Sequence, residues 1–507
     1  MNKKLIAASV ALAIAGNIGV ASAADFGQKV EALAKSQSFS LFGVLGTLGA
    51  SSTASLDATT ANANPAALMT VAPGLSVSVV SAAANLGKAV DQMVLWPNDT
   101  NPTHIIACNE EVGPTGAGGL QRIRLSDGLV ENIVTSPLVS CDPVEITPWG
   151  TIVFGEEAGA SGRMFELLDP LNTTNVTISS GTSVTTTTSD PSHVRVIPAL
   201  GQLSFEGISV MPNGVVYYQD ENRPSATDNG GGYFKFIPNT LWTGNAPITD
   251  LDNSPFAGGG RVFGLRLGRN GGNADIGAAT HSGRGNWVEV VEGQVIGATT
   301  IGRSNLRAAA TALKLTTGYR PEDQDIDKAA LVAGKVRVCG TNTGQDTTAA
   351  TANGENNFGE TFCITDGTVT TSAVVSTTTQ SLGGVTYTIN NGSGTSIPEY
   401  QTVIQHNIDF GMPDNIAYQP GRRNWLINED GDGATYTPAR NNDIWDCLDD
   451  GADADQLFDA CVKVMTINDL TAETTGGVFN AAGNEYYVSV QHNITGHGVV
   501  LKITGWQ

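Results

Sequence analysis

Residues 214–222 read Gly-Val-Val-Tyr-Tyr-Gln-Asp-Glu-Asn, a run of β-branched and aromatic residues that ends in carboxylates. The same pattern occurs at 103–111, 150–157 and 424–430. Short runs of this kind, separated by Gly, Asn, Asp and Pro, are typical of antiparallel strands joined by tight turns. Helical patterns are few, and the clearest covers residues 304–315. The sequence therefore predicts an all-β protein.

The strands that end in acid recur at intervals close to the length of one propeller blade. In a β-propeller, strand ends converge on a central channel. Carboxylates at these ends would meet there, and their mutual repulsion would have to be neutralised by cations. The alternative interpretation is that acids follow strands only because turns are polar. On the first interpretation, we expect a propeller with an acidic channel.

The charge balance limits the classes of partner. The chain has 507 residues, with 49 acidic and 27 basic side chains and a formal net charge of −22. Nucleic-acid binding needs a basic surface, so this class of function is disfavoured, as is binding to anionic lipid. No run after the first 23 residues is long and apolar enough to predict a membrane span.

The N-terminal residues 1–23 have the layout of a secretory signal. Two lysines precede an apolar run, and Ala21-Ser22-Ala23 provides the small residues of a cleavage site. We therefore expect an exported protein, located in the periplasm, outside the cell or on its surface. We divide the remaining chain into a low-charge N-terminal segment, residues 24–90, and the β-rich body, residues 91–507.

Six cysteines in an exported chain predict disulfides. Cys339 with Cys363 and Cys447 with Cys461 are candidate pairs that would close short loops. That choice leaves Cys108 and Cys141, and the spacing alone does not decide the connectivity.

Short strings along the body occur in an order that is specific as a set, although no single string is. In chain order they are Thr147-Pro-Trp-Gly-Thr151, Gly155-Glu156-Glu157, Gly162-Arg163-Met-Phe-Glu166, Gly201-Gln-Leu-Ser-Phe-Glu206-Gly207, Tyr233-Phe-Lys235-Phe-Ile, Tyr319-Arg320-Pro321-Glu322, Met412-Pro413-Asp414-Asn415-Ile416, Trp425-Leu-Ile-Asn-Glu429-Asp430-Gly and Val488-Ser-Val-Gln491-His492. From about residue 140 to 495, the chain resembles the PhoX family of secreted alkaline phosphatases.

This resemblance implies a six-bladed propeller with loop insertions and a calcium–iron cluster in the channel. It implies that Arg320 contacts the substrate phosphate and that carboxylates hold the metals. The metal ligands carried over are Cys141 for iron and, as shared carboxylate ligands, Glu156, Glu206, Glu322 and Asp414. Because adjacent residues of a regular strand face opposite ways, only one of Glu156 and Glu157 is expected to face the channel, and we choose Glu156. If the strand ends between them, Glu157 could also reach a metal.

Instead of binding iron, Cys141 could form a disulfide with Cys108. A Cys108–Cys141 disulfide would remove the thiolate that iron needs, and only a calcium site would remain.

Two classes of function follow. The first is a secreted phosphatase that hydrolyses phosphomonoesters with calcium, and with iron if Cys141 is a thiolate. The second is a structural protein of a surface layer or biofilm matrix, whose acidic copies self-assemble through bridging calcium. The enzyme needs Arg320 accessible to phosphate, whereas the structural protein needs residues 36–87 or the Thr-rich loops as contacts. A sugar- or peptide-binding propeller is a third class, supported only by scattered tryptophans.

Overall fold

The structure is a computed structural model, and it describes residues 28–112, 117–179, 186–224, 230–268, 282–344, 358–431, 436, 438–450 and 457–507. The predicted signal, residues 1–23, lies outside the described residues. In the described part of the chain, strands and turns predominate, and helices are few and short. None of these helices has the length and apolar character needed to cross a membrane. The expected all-β class is confirmed.

The low-charge segment packs onto the body and contributes strands to it. It contains α1 (Gln28–Ser36), α2 (Ser38–Phe42), α3 (Ala58–Ala63), β1 (Met69–Val71) and β2 (Ser76–Ser81). Asp57 begins α3, because its side chain accepts a hydrogen bond from the Thr60 amide at 3.0 Å. Leu41, Phe42 and Leu68 are buried in a core shared with the last strands of the chain.

The first two sheets of the body each contain four consecutive antiparallel strands. The first sheet consists of β3 (Val90–Trp96), β4 (His104–Val112), β5 (Ala117–Arg124) and β6 (Val130–Leu138). The second consists of β7 (Cys141–Ile146), β8 (Ile152–Glu156), β9 (Met164–Leu167) and β10 (Val194–Val196).

The middle of the chain forms one twelve-stranded sheet and a separate two-stranded ribbon. The elements in chain order are β11 (Phe205–Val210), β12 (Val216–Asp220), β13 (Gly231–Pro238), β14 (Gly260–Leu267), β15 (Ser282–Glu289), the ribbon of β16 (Val295–Ile296) and β17 (Thr299–Thr300), α4 (Leu306–Leu313), β18 (Thr317–Gly318), β19 (Pro321–Ile326), α5 (Lys328–Val332), β20 (Lys335–Asn342), β21 (Glu360–Thr368), α6 (Val369–Ser372), β22 (Thr377–Leu382), β23 (Val385–Asn390) and β24 (Glu399–Gln405). The predicted helix near 304–315 is confirmed as α4.

The last two sheets each take one strand from the N-terminal segment. β25 (Pro413–Gln419), β26 (Asn424–Glu429), β27 (Asp443–Leu448) and β28 (Ala460–Ile467) pair in order, and β1 adds to β28. β29 (Glu473–Phe479), β30 (Glu485–Gln491) and β31 (Val499–Thr504) form the last sheet, which β2 completes by pairing with β31. The two ends of the described chain are thereby tied together.

Six strands surround a central channel. β3, β7, β11, β19, β25 and β29 each contact the next in this order, and β29 contacts β3 to close the ring. We call them the inner strands. The propeller-like arrangement is therefore confirmed. The hydrogen-bonded sheets do not by themselves show six separate blades, because twelve strands are joined in one sheet.

Three disulfides link the strands. Cys339–Cys363 joins β20 to β21, and Cys447–Cys461 joins β27 to β28, both between residues directly opposite in the ladder. Cys108–Cys141 joins β4 of the first sheet to β7 of the second. Cys141 is therefore not a thiolate in this structure, and the alternative that the sequence left open is the one observed.

Peptide mapping of the unreduced protein is expected to recover these three linkages. Because the described residues include no free cysteine, a thiol-alkylating reagent should leave the folded, unreduced protein unlabelled. Alkylation of Cys141 in folded protein that retains the other two disulfides would show a free thiol there and would restore it as a candidate metal ligand.

Candidate functional site

Each of the six inner strands carries a carboxylate at or next to its first residue. These residues are Asp91, Asp142, Glu206, Glu322, Asp414 and Glu473. Because the inner strands surround one channel and begin at the same end of it, their carboxylates converge.

A repeated irregularity places these side chains. Each inner strand pairs with the strand that follows it in the chain, and we call the strands that begin with such a pair a group. In five of the six groups, the register of this pairing shifts immediately after the first residue of the inner strand, and the acid is the next residue. In β29 the shift lies between Thr475 and Val478, after the acid. An extra residue in one strand bends it and re-aims the local side chains. In a regular strand, successive side chains point to opposite faces. The bulges interrupt this alternation and turn the acidic side chains toward the channel.

The acid-ended strands noted in the sequence are the second strands of their groups. They run antiparallel to the inner strands, so their ends lie beside the inner-strand starts. Where two acids are adjacent at the end of a second strand, one lies at the channel cavity and the other forms an ion pair outside it. Glu157 lines the channel cavity, whereas Glu156 forms a buried ion pair with Arg163, with N–O distances of 2.6 and 2.7 Å. The structure thus places Glu156, the predicted channel ligand, in an ion pair outside the cavity lining, and it places Glu157 in that lining.

The same division occurs at two further strand ends. Asp220 pairs with Arg307 at 2.7 Å, and Glu429 pairs with Arg440 at 2.6 Å. Their neighbours Glu221 and Asp430 instead contact Arg320. Of the two adjacent acids, one thus forms an ion pair with Arg307 or Arg440, and the other contacts Arg320 at the channel.

The converging side chains line a cavity of about 370 Å³. Its carboxylates are Asp91, Glu110, Asp142, Glu157, Glu206, Glu322, Asp414, Asp430 and Glu473. Arg320 is the one Arg or Lys among the described residues of this lining. His492 lies at the rim, with its Nδ1 3.0 Å from a carboxylate oxygen of Glu473. Of the predicted site residues, the structure brings together Glu206, Arg320, Glu322 and Asp414.

Arg320 is held in place by three carboxylates. Its Nε lies 2.6 Å from Glu221 and 2.8 Å from Glu322, and its Nη1 lies 3.0 Å from Asp430. Its backbone φ is +58°, a left-handed conformation that costs energy for a residue with a Cβ and is commonest at functional sites. The fold therefore retains a strained residue in order to position this guanidinium.

The remaining carboxyls pair with one another. Glu157 hydrogen-bonds to Glu221, and Glu473 hydrogen-bonds to Asp430. Burial would raise the pKa of Glu221, but the hydrogen bond from Glu157 and the charge of Arg320 hold it below its usual value. Burial, followed by the contact with Glu221, raises the pKa of Glu157 to about 12. Two carboxyls that hydrogen-bond to each other share a proton, and both can be ionised only when another cation takes the place of that proton.

Two further pairs behave in the same way. Glu206 hydrogen-bonds to Asp142, and Glu110 hydrogen-bonds to Asp91. Burial is the main cause that raises the pKa of Glu110 to about 7 and that of Asp142 to about 6. Burial, followed by the charge of Asp142, raises the pKa of Glu206 well above its usual range. In the absence of metal ions, bound protons therefore neutralise part of the charge of this cavity.

The chemistry of the donor set, although not its present spacing, suits a hard divalent cation. Carboxylate oxygens are the ligands that calcium prefers, and Asp142 Oδ1 is buried without a hydrogen-bond partner among the described residues. The same donor set does not fit a thiolate-bound iron, because Cys141 is in a disulfide. Within the described ranges, no three His, Cys, Asp or Glu side chains are grouped as a bound metal would require.

Sequence reasoning missed Asp91, Asp142 and Glu473. The available signal was their position at the start of a strand, which they share with the predicted residues Glu206, Glu322 and Asp414. The string Thr147-Pro-Trp-Gly-Thr151 lies outside the cavity lining. It forms the buried turn between β7 and β8, in which Trp149 Nε1 donates to Glu166 at 2.7 Å.

Comparison with known proteins places the chain in a family. The family model described as alkaline phosphatase PhoX matches residues 113–493. Among solved structures, the chain is similar to Pseudomonas fluorescens PhoX in complex with vanadate, a transition state analogue, with a TM-score of 0.57. The two share 15% sequence identity, over 90% of this chain and 98% of that chain. At this identity, the structural likeness supports the fold alone.

Other structural matches have lower TM-scores. The soluble aldose sugar dehydrogenase of Escherichia coli, in its apo-form, has a TM-score of 0.39 and 10% identity over 85% of this chain and 99% of that chain. The gluconolactonase XC5397 of Xanthomonas campestris has a TM-score of 0.38 and 8% identity over 89% and 93%. Both scores are too low to bear on function. No curated protein matches the chain.

The raised carboxyl pKa values predict how pH affects the metal-free protein. Because Glu110 and Asp142 bind protons more tightly when folded, their contribution to stability is complete below pH 4 and is lost as the pH rises to about 7. The loss is on the order of 3 kcal/mol for each group at most. With a chelator present, the Tm should fall across this range.

The matched pair Glu110→Gln and Glu111→Gln tests the cause. Glu111 is the adjacent residue, and it pairs with Lys88 at the surface. The first variant should show a weaker fall in Tm with pH and the second the wild-type fall. A Tm that is constant or rises from pH 4 to 7 would contradict this account of the cavity.

Proposed function

The chain belongs to the alkaline phosphatase PhoX family, and on that premise we propose that it hydrolyses phosphomonoesters in the channel cavity. The observation that carries the proposal is the convergence of nine carboxylates and one arginine on a single cavity. Burying like charges together is costly, so a fold that gathers six carboxylates from the inner strands and three from the ends of second strands needs cations there. Cations held in this way attract and polarise a phosphate group.

We propose that the body is a six-bladed propeller. The six inner strands in a closed ring support this count. On this view, the twelve-stranded sheet contains two blades, one built on β11 and the other on β19. They are joined where Ser282–Arg284 of β15 pairs with residues 399–401 of β24. The joint lies far along each blade from its inner strand, so it leaves the channel ring unchanged.

We propose calcium as the resident metal. Glu206, Glu322 and Asp414, predicted from the sequence, would hold it together with the inner-strand acids Asp91, Asp142 and Glu473. When bound, calcium supplies the positive charge that neutralises the phosphate and activates the attacking water. The carboxyl pairs would lose their shared protons on loading, because a cation replaces the proton that now separates them.

We do not propose iron. The resemblance implies iron bound by Cys141, but the sulfur of Cys141 is bonded to Cys108. A disulfide sulfur carries no thiolate charge and is a poor ligand for a transition metal. A calcium-only site is therefore the form of the cluster that these residues favour.

Arg320 is proposed to orient the substrate phosphate. Its planar guanidinium matches two phosphate oxygens, and it is the one cation of the described cavity lining. Three carboxylates fix its position before substrate binds. Glu221 and Asp430 thus act as positioning residues, which preserve the charge and direction of the guanidinium without binding phosphate.

Export is proposed on the sequence of residues 1–23. The three disulfides support an oxidising compartment, since cytosolic proteins rarely retain such bonds. The periplasm, the cell surface and the medium all meet this condition.

The alternative, a calcium-bridged surface-layer or matrix protein, has less support. It needs residues 36–87 as contacts between copies. In the structure, Phe42, Val44 and Leu68 of this segment are buried in the body, and β2 completes the last sheet. The segment therefore has an intramolecular role, although a structural function would also use the acidic channel as a calcium site.

The mature protein is expected to hydrolyse 4-nitrophenyl phosphate when calcium is present and to lose this activity with a chelator. Glu206→Gln should lower kcat/KM by about 100-fold, because it removes one charged oxygen from the cation site. Glu111→Gln is the matched control and should keep wild-type kinetics, since Glu111 lies at the surface with Lys88.

Three results would contradict the proposal. They are the absence of turnover by folded, calcium-loaded protein, turnover that survives the chelator, and full activity of Glu206→Gln. The first, combined with ordered calcium-dependent assembly, would favour the structural alternative.

A further inference from the structure

A second chamber lies farther along the channel from the acidic cavity. The inner strands run from the cavity toward it, so its lining comes from later residues of the same strands. Its volume is about 340 Å³, within the range of small-molecule sites. Met93, Ile208, Ile416 and Phe479 form part of an apolar wall, and all four are buried.

The polar side of this chamber carries an excess of acid. Its charged residues are the acids Asp99, Glu145, Asp323 and Asp325 and the base Lys328. Lys328 pairs with Asp99 at 3.0 Å. Within the described ranges, neither Glu145 nor Asp325 forms an ion pair. Instead, Glu145 accepts from the Ile146 amide at 2.6 Å and Asp325 from the Tyr418 amide at 2.8 Å.

Gln92 supplies a separate sign of a ligand. Its side chain lines the chamber with a relative exposure of 6%, and its Nε2 has no hydrogen-bond partner in the described part of the chain. A buried amide without a partner is unfavourable, because it has lost its hydrogen bonds to water. Such groups in folded proteins are normally satisfied by solvent or by a bound molecule. This amide therefore offers a donor to whatever occupies the chamber.

We propose that the second chamber binds a small organic amine that carries a hydroxyl group and a short apolar chain. The ammonium group is placed with Glu145 and Asp325, which form no ion pair within the described ranges, although the charge of the neighbouring Lys328 acts on both. The hydroxyl oxygen accepts from Gln92 Nε2, and the chain packs against the apolar wall. Burial and the nearby Asp325 raise the pKa of Glu145 to about 8, so an ammonium ion would favour its ionised form. The inference is independent of phosphatase activity.

Leucinol is a suitable probe, because it combines an amine, a hydroxyl and a branched apolar chain. Isothermal titration calorimetry of calcium-loaded protein at pH 7.5 should show saturable binding. 4-Methylpentan-2-amine lacks the hydroxyl and should bind more weakly. 4-Methylpentan-1-ol lacks the amine and should bind weakest. Absence of saturable binding of leucinol, or equal affinity for the alcohol, would overturn the proposal.

Single substitutions test which side chains of the second chamber contact leucinol. Glu145→Gln and Asp325→Asn should each weaken leucinol binding about tenfold, since each removes a charged acceptor. Gln92→Leu should weaken leucinol but leave 4-methylpentan-2-amine unchanged. Asp252→Asn, at an exposed aspartate outside the chamber, is the matched control and should bind as the wild type. Wild-type binding by folded Glu145→Gln, Asp325→Asn and Gln92→Leu would also overturn the assignment.

Discussion

The repulsion among buried carboxylates is the constraint on which the rest of the structure depends. Nine of them line one cavity, and Arg320 is the one arginine or lysine described there. The protein offsets the cost in two ways, by ion pairs to Arg320 and by hydrogen bonds between carboxyls, as between Glu157 and Glu221. The ion pairs and the hydrogen bonds together leave negative charge in the cavity that only protons or metal ions can balance. The cavity therefore suits cations, and under the proposed function those cations would bind the phosphate group.

The fold is organised to sustain this arrangement. Bulges at the starts of the inner strands turn the acids toward the channel, and the ring of six strands brings them together. Ion pairs such as Glu156–Arg163 neutralise the neighbouring acids that face away. The last sheet is completed by β2, which the N-terminal segment supplies, so the two ends of the described chain are tied together in the sheet that contains β29.

The sequence predicted the fold class and part of the site for physical reasons. Alternating apolar runs mark strands, and Glu206, Glu322 and Asp414 lie in strings shared with the family. The choice between Glu156 and Glu157 was beyond sequence, because it depends on where β8 ends and on Arg163, seven residues away. Asp91, Asp142 and Glu473 were missed because each is a single acid whose role depends on a bulge. Whether Cys141 was a thiolate depended on its approach to Cys108 in space.

Calcium binding to chelator-treated protein tests the central claim most directly. Titration calorimetry at pH 6.5 in two buffers of different ionisation enthalpy measures the protons released as the metal binds. If protons now separate the carboxyl pairs, calcium must displace them, so the apparent binding enthalpy should differ between the buffers. Absence of calcium binding, or the same binding enthalpy in both buffers, would contradict the account.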